Sequence, residues 1–245
     1  MLHILRCSLL AAAHGRCFRF GGARLLAALL MALAVSGCTS EPDDSATHEA
    51  EIHGTAKPAP ASATAAAPLN LADSLQFMVR ELDAVRRLGC WDEDFAALMA
   101  VHHAGAQRLA AVQLSRGKDS TLRAMAQQVL KSHEKDTHVL ALALKREPPA
   151  GQEYRPGNRK DPFVRRITAA LAPLRQLPVL AGSPDADFAT LMALHHRSGV
   201  ALAQAELAFG RNAELREAAR RIVRDQQPEI KQFQRWLQTH PTLTP

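Results

Sequence analysis

Hydrophobic residues recur at every third or fourth position along most of the chain after residue 70, which is the spacing of one face of an α-helix. Ala, Leu, Gln, Glu and Arg are common in this region, and aromatic residues make up only 4% of the chain, so helix is favoured over strand. The pattern therefore predicts four long helices. They cover 92–115, about 120–145, 184–209 and 213–237.

Short turns join these helices into pairs. Gly117 suits the left-handed position that often follows a helix, and Asp119 or Ser120 suits the N-cap of the next helix. The proline pair at 148–149 ends that helix. A second turn at 210–212 joins the third and fourth helices in the same way. Helices joined by short turns lie antiparallel, so the sequence predicts two helical hairpins.

Two weaker helical patterns precede the hairpins, at 71–88 and 162–174. Pro228 lies inside the last long helix and is expected to kink it. The predicted fold class is all-α: a four-helix bundle built from two hairpins, with one or two further helices packed against it.

A twelve-residue string occurs twice, at 92–103 and 185–196, and the two copies start 93 residues apart. Self-similarity at a fixed spacing indicates a duplicated structural unit. Each copy ends in a histidine pair. Imidazole is the commonest metal-ligating side chain, so the repeated pairs predict a metal site.

The geometry of a hairpin extends this prediction to the opposite helix. Residues equidistant from the turn of an antiparallel hairpin lie at the same height. In each half this rule puts a Met and two His level with a His or Gln and with an acid three residues later. The predicted clusters are Met99, His102, His103, His133 and Asp136 in the first half, and Met192, His195, His196, Gln226 and Glu229 in the second. The first is richer in metal ligands, so we expect it to bind the more tightly.

A structural interpretation of these residues stays open. The histidines would then be hydrogen-bonded core residues repeated by duplication, and the methionines, which are in phase with Phe and Leu, would be core residues too. Consecutive histidines point about 100° apart on a helix, so one of each pair is expected to face the core and the other its edge. Acidic side chains in the first turn of a helix interact favourably with the positive end of the helix dipole and cap free backbone amides. Four aspartates at such positions are therefore interpreted as structural. They are Asp92, Asp94, Asp185 and Asp187.

The first 37 residues have the pattern of an export signal. A basic stretch precedes the apolar run at 25–35, which is too short to cross a bilayer. The following Val-Ser-Gly-Cys at 35–38 resembles the lipobox of bacterial lipoproteins, in which the cysteine is lipidated. A Thr after Cys38 implies the outer membrane by the same resemblance. An ordinary cleaved signal or a membrane-anchoring helix is the alternative.

Removing the signal changes the charge of the chain. The signal contains four of the 30 basic residues and no acidic residue. The rest of the chain therefore has 26 basic and 24 acidic residues, a net charge of +2. A basic surface for nucleic acid is therefore not expected.

Residues 38–70 are rich in Ala, Pro and Ser and are predicted to be a flexible tether. The first repeat covers 71–147, a connecting segment with a short helix covers 148–183, and the second repeat covers 184–245.

These motifs resemble a bacterial family, the domain of unknown function 305. The resemblance rests on Asp-x-x-Phe-x-x-x-Met-x-x-His-His, a helix break at Arg-Gly-Lys-Asp, and Gln-x-x-Glu-Ile with a late Trp, and it would make 92–144 and 185–236 two tandem copies. It implies a ferritin-like fold and an exported, often lipid-anchored protein, in a family that includes periplasmic copper-binding members. The sequence departs from the family in having Leu109 and Leu202 where the pattern has Met, and this loses a thioether ligand for Cu(I).

The leading hypothesis is a lipid-anchored, periplasm-facing protein that binds a transition metal, with copper favoured, for buffering or resistance. The alternative is a helical interaction or sensor module of the cell envelope that binds no metal. A di-iron oxidase is less favoured, because neither hairpin has Glu-x-x-His at the histidine level. No nucleophile with a paired base or cofactor motif is evident in the sequence, so no enzyme activity is indicated.

Overall fold

The computed structural model describes residues 70–148 and 151–241, and it contains six α-helices there and no strand. The predicted all-α fold of two hairpins with two further helices is confirmed. The helices are α1 (Leu71–Ala84), α2 (Trp91–Arg116), α3 (Ser120–Arg146), α4 (Pro162–Leu171), α5 (Pro184–Phe209) and α6 (Ala213–Thr239). A 3-10 turn at Ala172–Arg175 extends α4.

Polar side chains at the N-caps define where four of the helices begin. Asn70, Asp119, Asp161 and Asn212 each accept a hydrogen bond from a backbone amide in the first turn of α1, α3, α4 and α6. This satisfies amides that have no partner within a helix. Helix α6 continues unbroken through Pro228.

The glycines at the hairpin turns leave room for neighbouring side chains, whereas the sequence predicts a left-handed backbone at Gly117. Gly117 has φ −70°, outside the left-handed region, so that prediction is wrong. A Cβ at this position would collide with the side chain of Gln113, and a Cβ at Gly210 would collide with Glu206. Glycine is favoured at both turns because a buried side chain from the preceding turn of helix lies against the backbone.

Helices α2 and α5 form the centre of the bundle. Most residues of these two helices are hydrophobic or small and are buried, whereas α3 and α6 each have one polar face exposed to solvent. Helix α2 pairs with α3, α5 pairs with α6, and α2 packs directly against α5, while α1 and α4 cover the outer sides of the central pair. The largest fully buried side chains include Phe95, Phe163, Phe188 and Phe233.

The first-turn acids hold the two hairpins together. Asp185, at the start of α5, accepts from the amides of Lys118 and Asp119 at 3.1 and 3.2 Å. Asp92, at the start of α2, accepts from the amides of Arg211 and Asn212, both at 3.0 Å. Each central helix thus binds the turn of the opposite hairpin, and α2 and α5 are antiparallel.

Matching contacts recur 93 positions apart around these turns. Arg123 donates to the carbonyls of Leu114 and Gly117, and Arg216 donates to the carbonyls of Leu207 and Gly210. These bonds satisfy carbonyls at the ends of α2 and α5.

One pair of equivalent positions differs in chemistry. Gln113 donates its side-chain amide to Asp185 at 2.6 Å. The equivalent residue, Glu206, is fully buried, and burial together with the charge of Asp92 raises its pKa to about 9. Its carboxyl group therefore keeps its proton at neutral pH and donates it to Asp92, as the Gln113 amide donates to Asp185.

Across 70–148 and 151–241, none of the helices has the length and apolar character needed to cross a membrane. The predicted signal peptide at 1–37, the tether and the lipidation site Cys38 lie outside the described residues and stay predictions.

Candidate metal centre

Five histidines from three helices meet between α2, α3 and α5. The centroids of the His102 and His195 rings are 3.7 Å apart, and those of His103 and His133 are 4.3 Å apart. The His133 ring stacks on His196 with a centroid distance of 5.6 Å. We call these five residues the histidine cluster.

The histidine cluster combines histidines from both of the clusters predicted from the sequence. Helices α2 and α5 are antiparallel, and the first turn of each is hydrogen-bonded to the turn that follows the other. Their midpoints therefore lie at the same level. Both histidine pairs lie near those midpoints, because α2 spans Trp91–Arg116 and α5 spans Pro184–Phe209. The two pairs therefore come together across the interface between the hairpins.

Burial favours the uncharged form of four of the five imidazoles. All five imidazoles are at most 1% exposed. Burial lowers the pKa of His103 to about 3, and it lowers the pKa values of His102, His133 and His195 well below 6.5, with repulsion between neighbouring imidazolium charges adding to the effect. A neutral imidazole has one nitrogen lone pair, so these rings can act as ligands at neutral pH.

The hydrogen bonds fix which nitrogen of two rings is free. His195 Nε2 lies 2.8 Å from the backbone oxygen of His102, and His196 Nε2 lies 2.8 Å from a carboxylate oxygen of Glu229. Both partners only accept, so each Nε2 carries a proton and each Nδ1 of a neutral ring carries the lone pair. The two Nδ1 atoms face each other at 3.5 Å. A cation between them would turn this unfavourable contact into a favourable one.

Other nitrogens of the cluster have no hydrogen bond. Both nitrogens of His102 and His103, and Nε2 of His133, are buried without a partner among the described residues. A buried polar atom without a partner costs free energy, so such a concentration needs an explanation. His133, His195 and His196 each offer a nitrogen, and these three atoms lie within 4.8 Å of one another. Metal–imidazole bonds are about 2.0 to 2.1 Å long, so the residues fit a metal ion.

Two polar residues of α6 complete the surroundings of the cluster. Glu229 contacts His196 directly, as a carboxylate that orients a metal-ligating imidazole does. Gln226 is 3% exposed, and its Oε1 has no hydrogen-bond partner among the described residues. A Cβ at Gly199 would lie 2.7 Å from this oxygen and 3.1 Å from Cε1 of His102. The absence of a side chain at Gly199 thus lets Gln226 approach the cluster.

The remaining residues proposed from the sequence have other surroundings. Asp136 accepts from Arg221 of α6, with Nη2 to Oδ1 at 3.1 Å, and burial raises its pKa despite that partner. Met99 and Met192 are fully buried in the hydrophobic core. The histidine cluster is therefore assembled from imidazoles, with a carboxylate and an amide of α6 beside it.

Sequence reasoning missed two residues that shape the site. Gly199 is one, and its signal is weak, since the equivalent position 106 is alanine. Phe233 is the other: its ring meets the His196 ring edge-on with a centroid distance of 5.7 Å. A phenylalanine on the buried face of a helix predicts core packing, and nothing in the sequence links it to a histidine on another helix.

A second group of potential ligands is formed by Cys90, Asp92 and Glu153, which offer atoms within 4.8 Å of one another. Their lone pairs are already engaged. Asp92 accepts from two backbone amides, and Glu153 accepts from the Trp91 amide at 3.0 Å and pairs with Arg211 at 3.1 Å. Burial raises the pKa of the Cys90 thiol to about 11, so it stays protonated. This group is better explained as a structural network.

The fold and the site define an all-α protein with a buried histidine cluster between two antiparallel hairpins. The family model described as domain of unknown function (DUF305) matches residues 92–237, both hairpins in a single match, and the chain belongs to this family. The predicted resemblance is confirmed. The match does not divide the chain into two copies.

Solved structures similar to this chain include two of CopM. Its Cu(I)-bound form is 21% identical and covers 60% of this chain and 96% of CopM, with a TM-score of 0.45. A form bound to Ag by soaking is 22% identical, with coverages of 60% and 95% and a TM-score of 0.45. A DUF305 fragment from Deinococcus radiodurans is 27% identical, with coverages of 68% and 95% and a TM-score of 0.40. No curated protein matches the chain.

Proposed function

We propose that this protein binds a transition metal ion, with Cu(I) favoured, at the histidine cluster. The observation that carries the proposal is the pair of Nδ1 atoms of His195 and His196, which face each other at 3.5 Å while both Nε2 atoms are bonded to acceptors. Among the side chains described, His133 is placed to supply the third nitrogen. Imidazole is a ligand that suits copper.

The charge of the site favours a monovalent ion. Buried charges are costly unless they are compensated. Burial disfavours the charged form of four cluster imidazoles, those of residues 102, 103, 133 and 195, and Glu229 supplies one negative charge in contact with His196. One monovalent cation balances this carboxylate, whereas a divalent ion would leave a net positive charge in the core. Cu(I) and Ag(I) fit this requirement better than Zn(II).

The cellular setting of the proposal comes from the N-terminal sequence. The apolar run and the Val-Ser-Gly-Cys motif support export and lipidation at Cys38, and the Ala/Pro-rich residues that follow suit a tether. A metal-binding domain held at the envelope would buffer copper or contribute to resistance. Labelling of cells with a radioactive fatty acid tests the anchor: the wild-type protein should be labelled, and Cys38→Ala should not. Label retained by Cys38→Ala would contradict it.

We also infer that the two hairpins arose by duplication of one unit. The 93-residue offset relates the histidine pairs, the paired acids, the turn glycines and the capping arginines. After duplication the two halves diverged at Gln113 and Glu206. Both halves are needed because each contributes histidines to the single site between them.

Metal titration tests the proposed function. The full-length chain should be used with Cys7, Cys17 and Cys38 replaced by Ser, so that Cys90, buried and protonated, is the remaining thiol. Cu(I) is then titrated against a coloured competing chelator, and Zn(II) is titrated separately. We expect one tightly bound Cu(I) per chain and weaker Zn(II) binding.

Histidine variants locate the site. His133→Ala, His195→Ala and His196→Ala should each weaken Cu(I) binding by roughly tenfold to a hundredfold or more. His138→Ala is the matched control, because His138 is an exposed residue of the same helix as His133, and its affinity should be unchanged. Equal affinity of all variants would overturn the proposal. A wild-type chain that binds no metal would favour the non-metal interaction module instead.

A further inference from the structure

The histidine cluster is closed to solvent, so an ion needs a route to it. The side chain of His196 is 0% exposed, whereas that of Glu229, bonded to it, is 20% exposed. Glu229 therefore connects the buried cluster with the protein surface. The surface that it reaches indicates where an ion can approach.

That surface is a groove between α3 and α6, with a volume of about 520 Å³. Its wall on α6 includes Glu229 and Phe233, and both contact His196. Its wall on α3 includes Val129, one helical turn before His133. His196 thus contacts two residues that line the groove.

The groove also contains a soft ligand. Met125, on α3, is partly buried and lines it. Thioether sulfur favours Cu(I), and a carboxylate attracts any cation. The groove thus offers an ion a thioether and a carboxylate, whereas the His196 side chain behind Glu229 is 0% exposed.

A second groove, between α2 and α3, provides a contrast. It is of similar size, about 500 Å³, and its lining includes Glu134, Thr137, His138 and Ala141. Its Thr137 donates to the backbone oxygen of His133 at 2.9 Å, but among the described residues no side chain of this groove is hydrogen-bonded to a cluster imidazole. This groove therefore has potential ligands at the surface and no bond like that between Glu229 and His196.

We propose that the groove between α3 and α6 is the route by which the metal ion enters and leaves the histidine cluster, with Met125 and Glu229 as the residues that pass it to His196. This inference rests on the proposed function. Its distinctive consequence is kinetic: blocking the groove slows loading and release together and leaves the affinity unchanged, because the cluster itself is intact.

The test compares two identical substitutions on one helix. Ala124→Trp fills the proposed route, and Ala141→Trp fills the other groove; both alanines are exposed residues of α3. Cu(I) transfer from and to a coloured chelator is followed by stopped-flow absorbance in the full-length chain without the N-terminal cysteines. Ala124→Trp should slow both directions by about tenfold or more, which corresponds to about 1.4 kcal/mol of activation free energy. Ala141→Trp should stay within about twofold, or 0.4 kcal/mol.

Met125→Leu is a second test that does not add bulk. Leu replaces Met with little change in volume, so the fold is retained, and the melting temperature of the metal-free protein verifies it. Loading should be slower than in the wild type, with unchanged stoichiometry. Wild-type loading rates in both Ala124→Trp and Met125→Leu would overturn the proposed route while leaving the metal site in place. A wild-type chain that takes up no Cu(I) would overturn the site and the route together.

Discussion

Replacing Glu206 by Gln should stabilise the metal-free protein at neutral pH. Glu206 is fully buried beside Asp92, and its pKa rises from 4.5 to about 9 on folding. Between these two pH values the folded carboxyl group holds a proton that the unfolded one has lost. Stability therefore falls as the pH rises from 4.5 towards 9, by about 1.4 kcal/mol for each pH unit. At pH 7 the loss amounts to about 3 kcal/mol.

The equivalent position shows why Gln should fit. Gln113 occupies it in the first hairpin and donates to Asp185 at 2.6 Å without needing a proton from solution. Glu206→Gln should therefore keep the hydrogen bond to Asp92 and remove the pH dependence. We expect the variant to exceed the wild type by about 3 kcal/mol at pH 7 and to match it near pH 4.5.

Urea denaturation of the metal-free protein at intervals from pH 5 to pH 8 measures this difference. Gln113→Glu is the matched control, because it creates the same buried carboxyl pair with Asp185. It should lower stability at pH 7 and introduce the same slope with pH. The reasoning would be refuted by a difference between Glu206→Gln and the wild type that does not change with pH, or by a variant that is less stable at pH 7.

Three further predictions concern the metal centre. Glu229→Gln should weaken Cu(I) binding by about tenfold or more, because it removes the carboxylate that orients an imidazole and balances the ion; unchanged affinity in a competition titration would argue against this role. Gly199→Ala should destabilise the protein by about 1 to 3 kcal/mol by urea denaturation, since its Cβ would lie 2.7 Å from Gln226; wild-type stability would show that Gln226 moves freely. Free Cu(I) at about a hundred times its Kd should add about 2.7 kcal/mol to wild-type stability. His133→Ala should lose this gain and His138→Ala keep it, and an equal gain in both would place the ion elsewhere.

Local signals predict much of the helical framework. Helix α5 has the predicted bounds, Pro184–Phe209, because Pro suits its first turn and Gly210 follows its end. Helix α1 ends at Ala84 rather than near 88, because Val85 is extended, with ψ 115°, and the amides of Leu88 and Gly89 donate to Asp94 instead of to the helix. The hydrophobic pattern continues past the helix end, and it does not reveal that the backbone changes direction there.

The site depends on contacts between hairpins, which periodicity within one hairpin does not contain. Counting from a turn places His133 level with His102, and both belong to the histidine cluster. The same counting cannot show that α2 and α5 pack with their midpoints together. Asp92 and Asp185 determine that register through amides of the opposite turn, although an acid in a first helical turn already has a local explanation.

X-ray absorption at the copper edge of the Cu(I)-loaded full-length chain, with the three N-terminal cysteines replaced, tests the histidine cluster most directly. His133, His195 and His196 offer nitrogens within 4.8 Å of one another, so the copper is expected to have imidazole nitrogens as its ligands. The multiple scattering typical of imidazole should be present in the wild type and lost in the double variant of His195 and His196 to Ala. A spectrum dominated by sulfur, or one unchanged in the double variant, would contradict a metal site at the histidine cluster.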